Sequence, residues 1–189
     1  MTRKESKEQT RNKIFEHATR LIQEQGVQQV STKNIAKSAE VSQGSVFLHF
    51  KTKNLLVSTV FISYIELFEI EFNKLFLSDI SIDELLKNLI TIFQQYENIL
   101  SRIYKDFDYI GEDVIEKLEL VESNQKNVIF DIIRKNSKKL SIVDTFVAID
   151  AFFSQIKIYL TEKELYSPTN SVIRQKRGRI IKLFNILFQ

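Results

Sequence analysis

The sequence predicts an all-α protein, with a three-helix head over residues 1–53 and a larger helical body over residues 54–189, about nine helices in all. Apolar residues recur at helical spacing almost throughout, no stretch alternates as a strand would, and only four Gly and one Pro punctuate 189 residues. A hydrophobic content of 43% is ample for a core, which excludes disorder as the main state. With no cysteine, disulfides, thiolate metal ligands and thiol nucleophiles are excluded, and the two lone histidines, His17 and His49, are too few for a His-rich metal site. No residue constellation suggests an enzyme, and none implies a cofactor. The amino terminus, MTRKESKEQTRNK, is charged rather than signal-like, and no run of about 18 apolar residues occurs. The chain is therefore expected to stay in the cytoplasm, without a membrane partner.

The first helix, about residues 8–25, places Ile14, Phe15, Ala18, Leu21 and Ile22 on one stripe and stops at Gly26, which suits a left-handed cap. Residues 32–55, TKNIAKSAEVSQGSVFLHFKTKNL, read as two short amphipathic helices meeting at a turn. The first starts at Ser31 or Thr32 and buries Ile35, Ala36 and Ala39. The next is capped by Ser42 and buries Val46 and Phe50, leaving Gln43, Gly44, Ser45 and Phe47 facing out. A fourth helix, from the cap Thr52 to about Leu77, is apolar nearly all round (Leu55, Leu56, Val60, Phe61, Tyr64, Ile65, Phe68, Phe72, Phe76) and must be covered on most sides. The body opens at Asp79 to Asp83, where Ser81 and Glu84 form a capping box before Leu85, Leu86, Leu89, Ile90 and Phe93. A short helix through Ile99, Ile103 and Tyr104 and a break near Tyr109 to Gly111 come next. Long helices follow at about Glu112 to Asn136 and from the cap Ser141 to about Glu164. Pro168 and Asn170 open a terminal helix to Phe188.

Two helices joined by a turn, the second displaying small polar and amide side chains, outline a helix-turn-helix that reads DNA. Charge agrees: residues 1–53 carry ten Lys and Arg against five Glu, whereas residues 54–189 carry seventeen basic against nineteen acidic residues. Positive charge concentrated on the head favours phosphate.

The stretch from Arg11 to Leu56 resembles the amino-terminal domain of the tetracycline-repressor (TetR) family, dimeric one-component repressors released from DNA by a small ligand. The resemblance rests on the helix ending in Gly26, the Thr32-x-x-Ile35-Ala36 step, Val41-Ser42-x-Gly44 and Phe47-x-His49-Phe50-x-x-Lys53, all in register over about a quarter of the chain. The body resembles the family only in its length, its helicity and its wealth of Phe and Ile. Two positions depart from the pattern: Glu40 stands in the turn where the family often has Gly for positive φ, and Phe47 where it usually has Tyr.

The resemblance and the chemistry together assign roles. Gln43 and Ser45, at the start of the second short helix, can reach base edges or simply face solvent; Gln43 suits a bidentate bond to adenine. Lys33 can reach a base or a phosphate. Thr32, Ser42, His49 and Lys53 suit phosphate, with a packed, bracing histidine as the alternative for His49. Gly44 and Phe47 complete the DNA-facing set. His17 points elsewhere and is structural or exposed. Twelve of the fifteen Phe follow residue 53. Phe61, Tyr64, Ile65, Phe68, Phe93, Tyr96, Ile103, Tyr104, Phe107, Phe130 and Phe153 are expected to line a cavity, with tyrosine hydroxyls as polar anchors, or else to be plain core. Asp150, Ser154, Lys157, Thr161 and Glu164 step along a polar helix face whose expected partner is solvent. Ile173, Ile180, Ile181, Phe184 and Leu187 form an apolar stripe expected to pair in a homodimer. The expected partners are a palindromic duplex operator, a small apolar or amphipathic effector and a second copy of the chain; the alternative function is constitutive or architectural DNA binding without an effector.

Overall fold

The computed structural model describes residues 3–75, 80–137, 140–167 and 169–188. Phe76, Leu77, Asp79 and Pro168, which the sequence reading used, lie outside the described residues. The elements are α1 (Arg3–Gln25), α2 (Thr32–Ser38), α3 (Gln43–His49), α4 (Lys53–Leu75), α5 (Ile82–Gln95), α6 (Glu97–Lys105), a 3-10 turn (Phe107–Tyr109), α7 (Glu112–Asn136), α8 (Ile142–Thr161), α9 (Lys163–Tyr166) and α10 (Val172–Phe188). There is no strand among the described residues. Two expectations shift. Helix α1 starts at Arg3 rather than near residue 8, because nothing in Arg3–Lys7 breaks a helix. The helix expected to reach Glu164 ends at Thr161, and the backbone restarts as the single turn α9, which makes ten α-helices among the described residues where about nine were expected.

In a chain this poor in Gly and Pro, helices are started by side-chain caps. Ser31, Ser42, Thr52, Ser141 and Ser171 each accept the backbone N–H three residues on, at 3.0 to 3.1 Å. Ser81 and Glu84 form the reciprocal capping box, with Glu84 Oε2 accepting the Ser81 N–H at 2.9 Å. Each such cap is worth about 1 kcal/mol. Helix α1 ends as expected at Gly26, whose φ of 84° requires a residue without Cβ.

The described chain forms two compact units, one of residues up to Tyr64 with Asp106–Glu116, the other Ile65–Lys105 with Lys117–Gln189. The boundary expected at residue 53 thus falls later and is interrupted. Leu56, Val57, Val60 and Phe61 are buried, and Ser58 Oγ donates to Asp113 Oδ1 at 3.0 Å, so the first turns of α4 and the start of α7 belong with the head. The Asp106 carboxylate accepts the buried Val27 N–H at 2.7 Å, closing the loop after α1. Within the head, α2 packs on both α1 and α3 through Ile35, Ala36, Ala39 and Val46, all buried.

In the body, α8 packs against α6 and α10, and α10 also against α5. Glu97, 2% exposed, sits where these meet. Its carboxylate accepts the N–H groups of Val172 (2.9 Å) and Ile173 (3.2 Å) and the Ser171 hydroxyl (2.5 Å), and pairs with Lys163 Nζ at 3.0 Å. One buried charge thereby fills the open amides at the start of α10, where the helix dipole favours an anion. Ser101, one turn along α6, donates to the Leu160 carbonyl at 2.6 Å. Elsewhere on α7, Gln125 is 2% exposed on the core stripe with Leu118, Val121, Ile129 and Ile133, and its amide finds no partner among the described residues.

The stripe assigned to a partner needs correction. Ile173, Ile180 and Phe184 are buried in the protomer's own core, Phe184 against Phe152 at 5.6 Å between ring centroids. Only Ile181 and Leu187 are part-exposed. Replacing Ile180 and Phe184 by Glu would therefore unfold the body rather than separate two copies.

Removing the Glu97 carboxylate leaves Lys163 and two buried amides without it. Glu97→Ala is expected to cost about 3 to 5 kcal/mol, read from denaturant unfolding. A loss under about 1 kcal/mol would show that the carboxylate is not holding α10 in place.

Candidate nucleic-acid interface and body recess

The turn between α2 and α3 is a Schellman motif: Val41 N–H bonds to the Ala36 carbonyl at 3.0 Å and Glu40 N–H to that of Lys37 at 3.2 Å. Glu40 carries the left-handed conformation that this motif demands, with φ of 50°. The backbone is thus kept despite the missing glycine. Glu40 also pairs with Lys13 at 3.2 Å, but both side chains are well exposed, so the pair offsets little of the strain.

The turn sets α3 on the surface with Val46 buried beneath it. Gln43 Nε2 donates to Thr32 Oγ1 at 3.0 Å, so the amide proposed for base reading is already steered by the start of α2. A Cβ on Gly44 would meet only Ser42 Oγ, at 3.8 Å; the glycine leaves open surface rather than filling a packing need. Ser42 and Gln43 are exposed, Ser45 is part-buried, and Phe47 and Leu48 face out, Leu48 at 70% exposure. Lys33 is exposed on the first turn of α2, and Lys53 opens α4 beside the cap Thr52.

The first turns of α1 supply residues that the sequence reading missed. Lys4, Ser6, Lys7 and Thr10 line an open groove of about 760 Å³ with Ser45, Leu48 and His49 of α3. The signal was present in the sequence: Lys4, Lys7 and Arg11 fall on one helix face once the helix is allowed to start at Arg3. Burial, then the nearby charges of Lys7 and Arg11, hold the His49 imidazole below its ordinary pKa. The Arg11 guanidinium lies over the Phe50 ring, 5.0 Å from its centroid. His17 is a structural tie: its Nδ1 shares a 2.8 Å hydrogen bond with Ser38 Oγ, to which Arg20 also donates at 2.8 Å.

The residues expected to line a cavity disperse. Phe93, Tyr104 and Phe153 line a recess of about 40 Å³ in the body, together with Glu122, Lys126, Ser154, Ile156 and Lys157. Ile65, Phe68, Tyr96 and Ile103 are buried as plain core, with Phe68 against Tyr96 at 5.3 Å and against Phe93 at 5.9 Å. Phe61 and Tyr64 belong to the other compact unit, as does Phe107, which is substantially exposed. Phe130 stacks on Phe146, 4.2 Å between centroids and nearly parallel. The recess is also more polar than expected. Tyr104 donates to Glu122 Oε1 at 2.6 Å, Lys157 pairs with Glu122 at 3.5 Å, and Lys126 with Asp150 at 2.8 Å. The polar face of α8 is therefore partly engaged by α7 rather than left to solvent. Burial, then the Glu122 charge, push the Tyr104 hydroxyl well above its ordinary pKa, which keeps it a donor. Among the described residues no group of three His, Cys, Asp or Glu is placed to hold a metal, and no helix is long and apolar enough to cross a membrane.

A capped two-helix turn with a basic flank and an outward second helix defines a helix-turn-helix regulatory protein. Residues 14–60 match the domain described as "Bacterial regulatory proteins, tetR family". HTH-type transcriptional regulator AcrR of Shigella flexneri is 30% identical over 133 residues, covering 66% of this chain and 60% of AcrR. The chain thus spans less than two thirds of that relative. Among solved structures, the fatty acid degradation regulator FadR of Bacillus halodurans superposes with a TM-score of 0.70 at 17% identity, over 95% of this chain and 94% of that one. FadR of Bacillus subtilis in complex with stearoyl-CoA gives 0.68 at 16%, over 94% and 97%. At these identities the likeness is one of fold.

Glycine at position 40 relieves a left-handed L-residue at the loss of one exposed ion pair. Glu40→Gly is expected to raise stability by about 1 kcal/mol, seen as a higher unfolding midpoint at unchanged helicity. An unchanged or lower midpoint would mean that the turn is not strained.

Proposed function

We propose that the chain is a transcriptional repressor that binds a roughly palindromic operator as a homodimer and is released by a small apolar or amphipathic effector. The observation that carries the DNA reading is the placement of Gln43, Gly44 and Ser45 on an exposed, capped helix flanked by Lys4 and Lys7. Gln43 and Ser45 read base edges, Lys33 a base or a phosphate; Thr32, Ser42, His49 and Lys53 hold phosphates, and the Phe47 ring packs on the sugar-phosphate backbone. In two such heads the major-groove contacts lie about 34 to 36 Å apart.

Dimerisation is assigned to the exposed stripe of α8 rather than to the buried residues of α10. Val143, Val147, Ala151 and Ile158 lie on one exposed face, with Val147 62% and Ile158 46% exposed, and Ile181 and Leu187 of α10 add part-exposed apolar surface. Facing helices in a twofold pair bury such a stripe.

The effector reading is supported by the body's recess and by the acyl thioester named in the FadR complex. By linkage, an effector that weakens DNA binding is weakened by DNA to the same factor, and about 1 to 3 kcal/mol of coupling makes a switch. The small volume of the recess favours the second reading, constitutive DNA binding without an effector. Thermal shift across fatty acids, acyl thioesters and cationic dyes separates the two: stabilisation by any class supports an effector, and none across the panel leaves the constitutive binder.

Selection from random duplexes is expected to enrich a palindrome, and its absence at low salt would remove the DNA reading. On the selected site, Lys53→Ala should weaken binding to all sequences and flatten the salt dependence, whereas Gln43→Ala should relax preference at one base position. Equal losses on all DNA from both would overturn the role assignment. Val147→Glu combined with Ile158→Glu should give a folded monomer by sedimentation; a wild type already monomeric at micromolar concentration would remove the dimer.

A further inference from the structure

Seen down its axis, α3 has one outermost line. Val46 is fully buried beneath the helix, and at about 100° per residue the positions opposite it are 44 and 48, one turn apart. Gln43 and Phe47 fall on one flank of that line, Ser45 and His49 on the other. Gly44 carries no side chain, so the line projects at Leu48 alone. Leu48 is 70% exposed and Phe47 beside it 45%, on a helix that buries only Val46. The core of the head is therefore complete without Leu48. A leucine has neither donor nor acceptor, so the most outward side chain of this helix can hydrogen-bond neither a phosphate nor the polar edge of a base.

We propose that Leu48 reads the 5-methyl group of a thymine in the major groove and so sets a thymine preference at one position of each half-site. The inference rests on the DNA reading proposed above and adds a specificity residue to it.

The thymine 5-methyl is the only methyl group that the major groove presents; the other recognition groups on its base edges are donors or acceptors. An outward leucine amid polar neighbours thus has one complementary feature to meet there. Gly44 brings it within reach. A Cβ at position 44 would find only Ser42 Oγ nearby, at 3.8 Å, so the glycine answers no packing need of the head, and its bare backbone leaves Leu48 as the first side chain on that line to arrive at the base edges. The flanking charge fits the same placement. Leu48 shares its groove with Lys4 and Lys7 of α1 and with Ser45 and His49 of α3. Two ammonium groups beside the leucine suit the phosphates along the wall of the major groove while the leucine meets its floor.

The test uses the duplex that the full chain enriches from a random pool. Each thymine is replaced in turn by deoxyuridine, which removes the methyl group and nothing else, and affinity is read by fluorescence anisotropy. At one thymine position the wild type is expected to lose about fourfold in affinity per half-site, the worth of burying one methyl group. Leu48→Ala, at an exposed position outside the core, should keep the wild-type helicity, bind the thymine duplex more weakly and no longer distinguish thymine from deoxyuridine at that position. Leu48→Met keeps an apolar end and should retain the preference. An enriched site with no thymine in its half-sites, a wild type indifferent to every deoxyuridine, or a Leu48→Ala chain that still loses the wild-type factor on deoxyuridine would overturn the proposal, the last being the mark of a leucine that only supports the stems of Lys4 and Lys7. Failure to enrich any duplex is a different outcome: it removes the DNA reading itself, and this role with it.

Discussion

A carboxylate taken almost wholly out of water survives only where several donors converge on it, and in this body they converge on Glu97. The side chain leaves α6, accepts two amides and a hydroxyl at the start of α10, and is neutralised by Lys163 just after α8. Three segments far apart in sequence are thereby registered against one another before any apolar contact is counted. The rest of the body follows from that register. Helix α10 can lay Ile173, Ile180 and Phe184 into the core only because its first turn is fixed. Ser101 then ties the same α6 to the end of α8. With α6 set, Tyr104 is delivered to Glu122 and the recess acquires its polar wall.

The head is ordered by a different device, local rather than long-range. Serine and threonine caps begin α2, α3 and α4, and a single left-handed residue turns α2 into α3. Because each device acts within a few residues, the geometry that presents Gln43 and Ser45 is short-range and firmly set. The longer-range bonds in this unit, Val27 to Asp106 and Ser58 to Asp113, close its back.

That contrast explains what could be read from the sequence. Caps are written in adjacent residues, so Ser31, Ser42, Thr52, Ser81 and Ser141 were legible, as was Gly26; the left-handed demand at Glu40 could be flagged only through the family resemblance. The all-α fold and the outward face of α3 followed from spacing alone. The groove on α1 was missed because a charged run without apolar residues gives no periodicity to mark where a helix begins. The recess was misjudged for another reason. Helical spacing says that Phe61, Phe107 and Phe130 lie on apolar stripes, but not which neighbour each stripe meets: Phe61 is buried with the head, Phe130 stacks on Phe146 and Phe107 stays substantially exposed. Glu97 offered no signal at all: an acidic residue between Tyr96 and Asn98 looks like solvent-facing surface until α10 arrives on top of it.

The orphan amide of Gln125 bears on how firmly the body holds its shape. A buried amide without partners costs on the order of 1 to 3 kcal/mol against a well-packed apolar side chain, and it does so in the middle of the stripe that seats α7. Global stabilities are only about 5 to 15 kcal/mol, so that single position lowers the free-energy gap to states in which α7 has loosened. Faster amide hydrogen exchange along α7 than along α10 would be the mark of that cost.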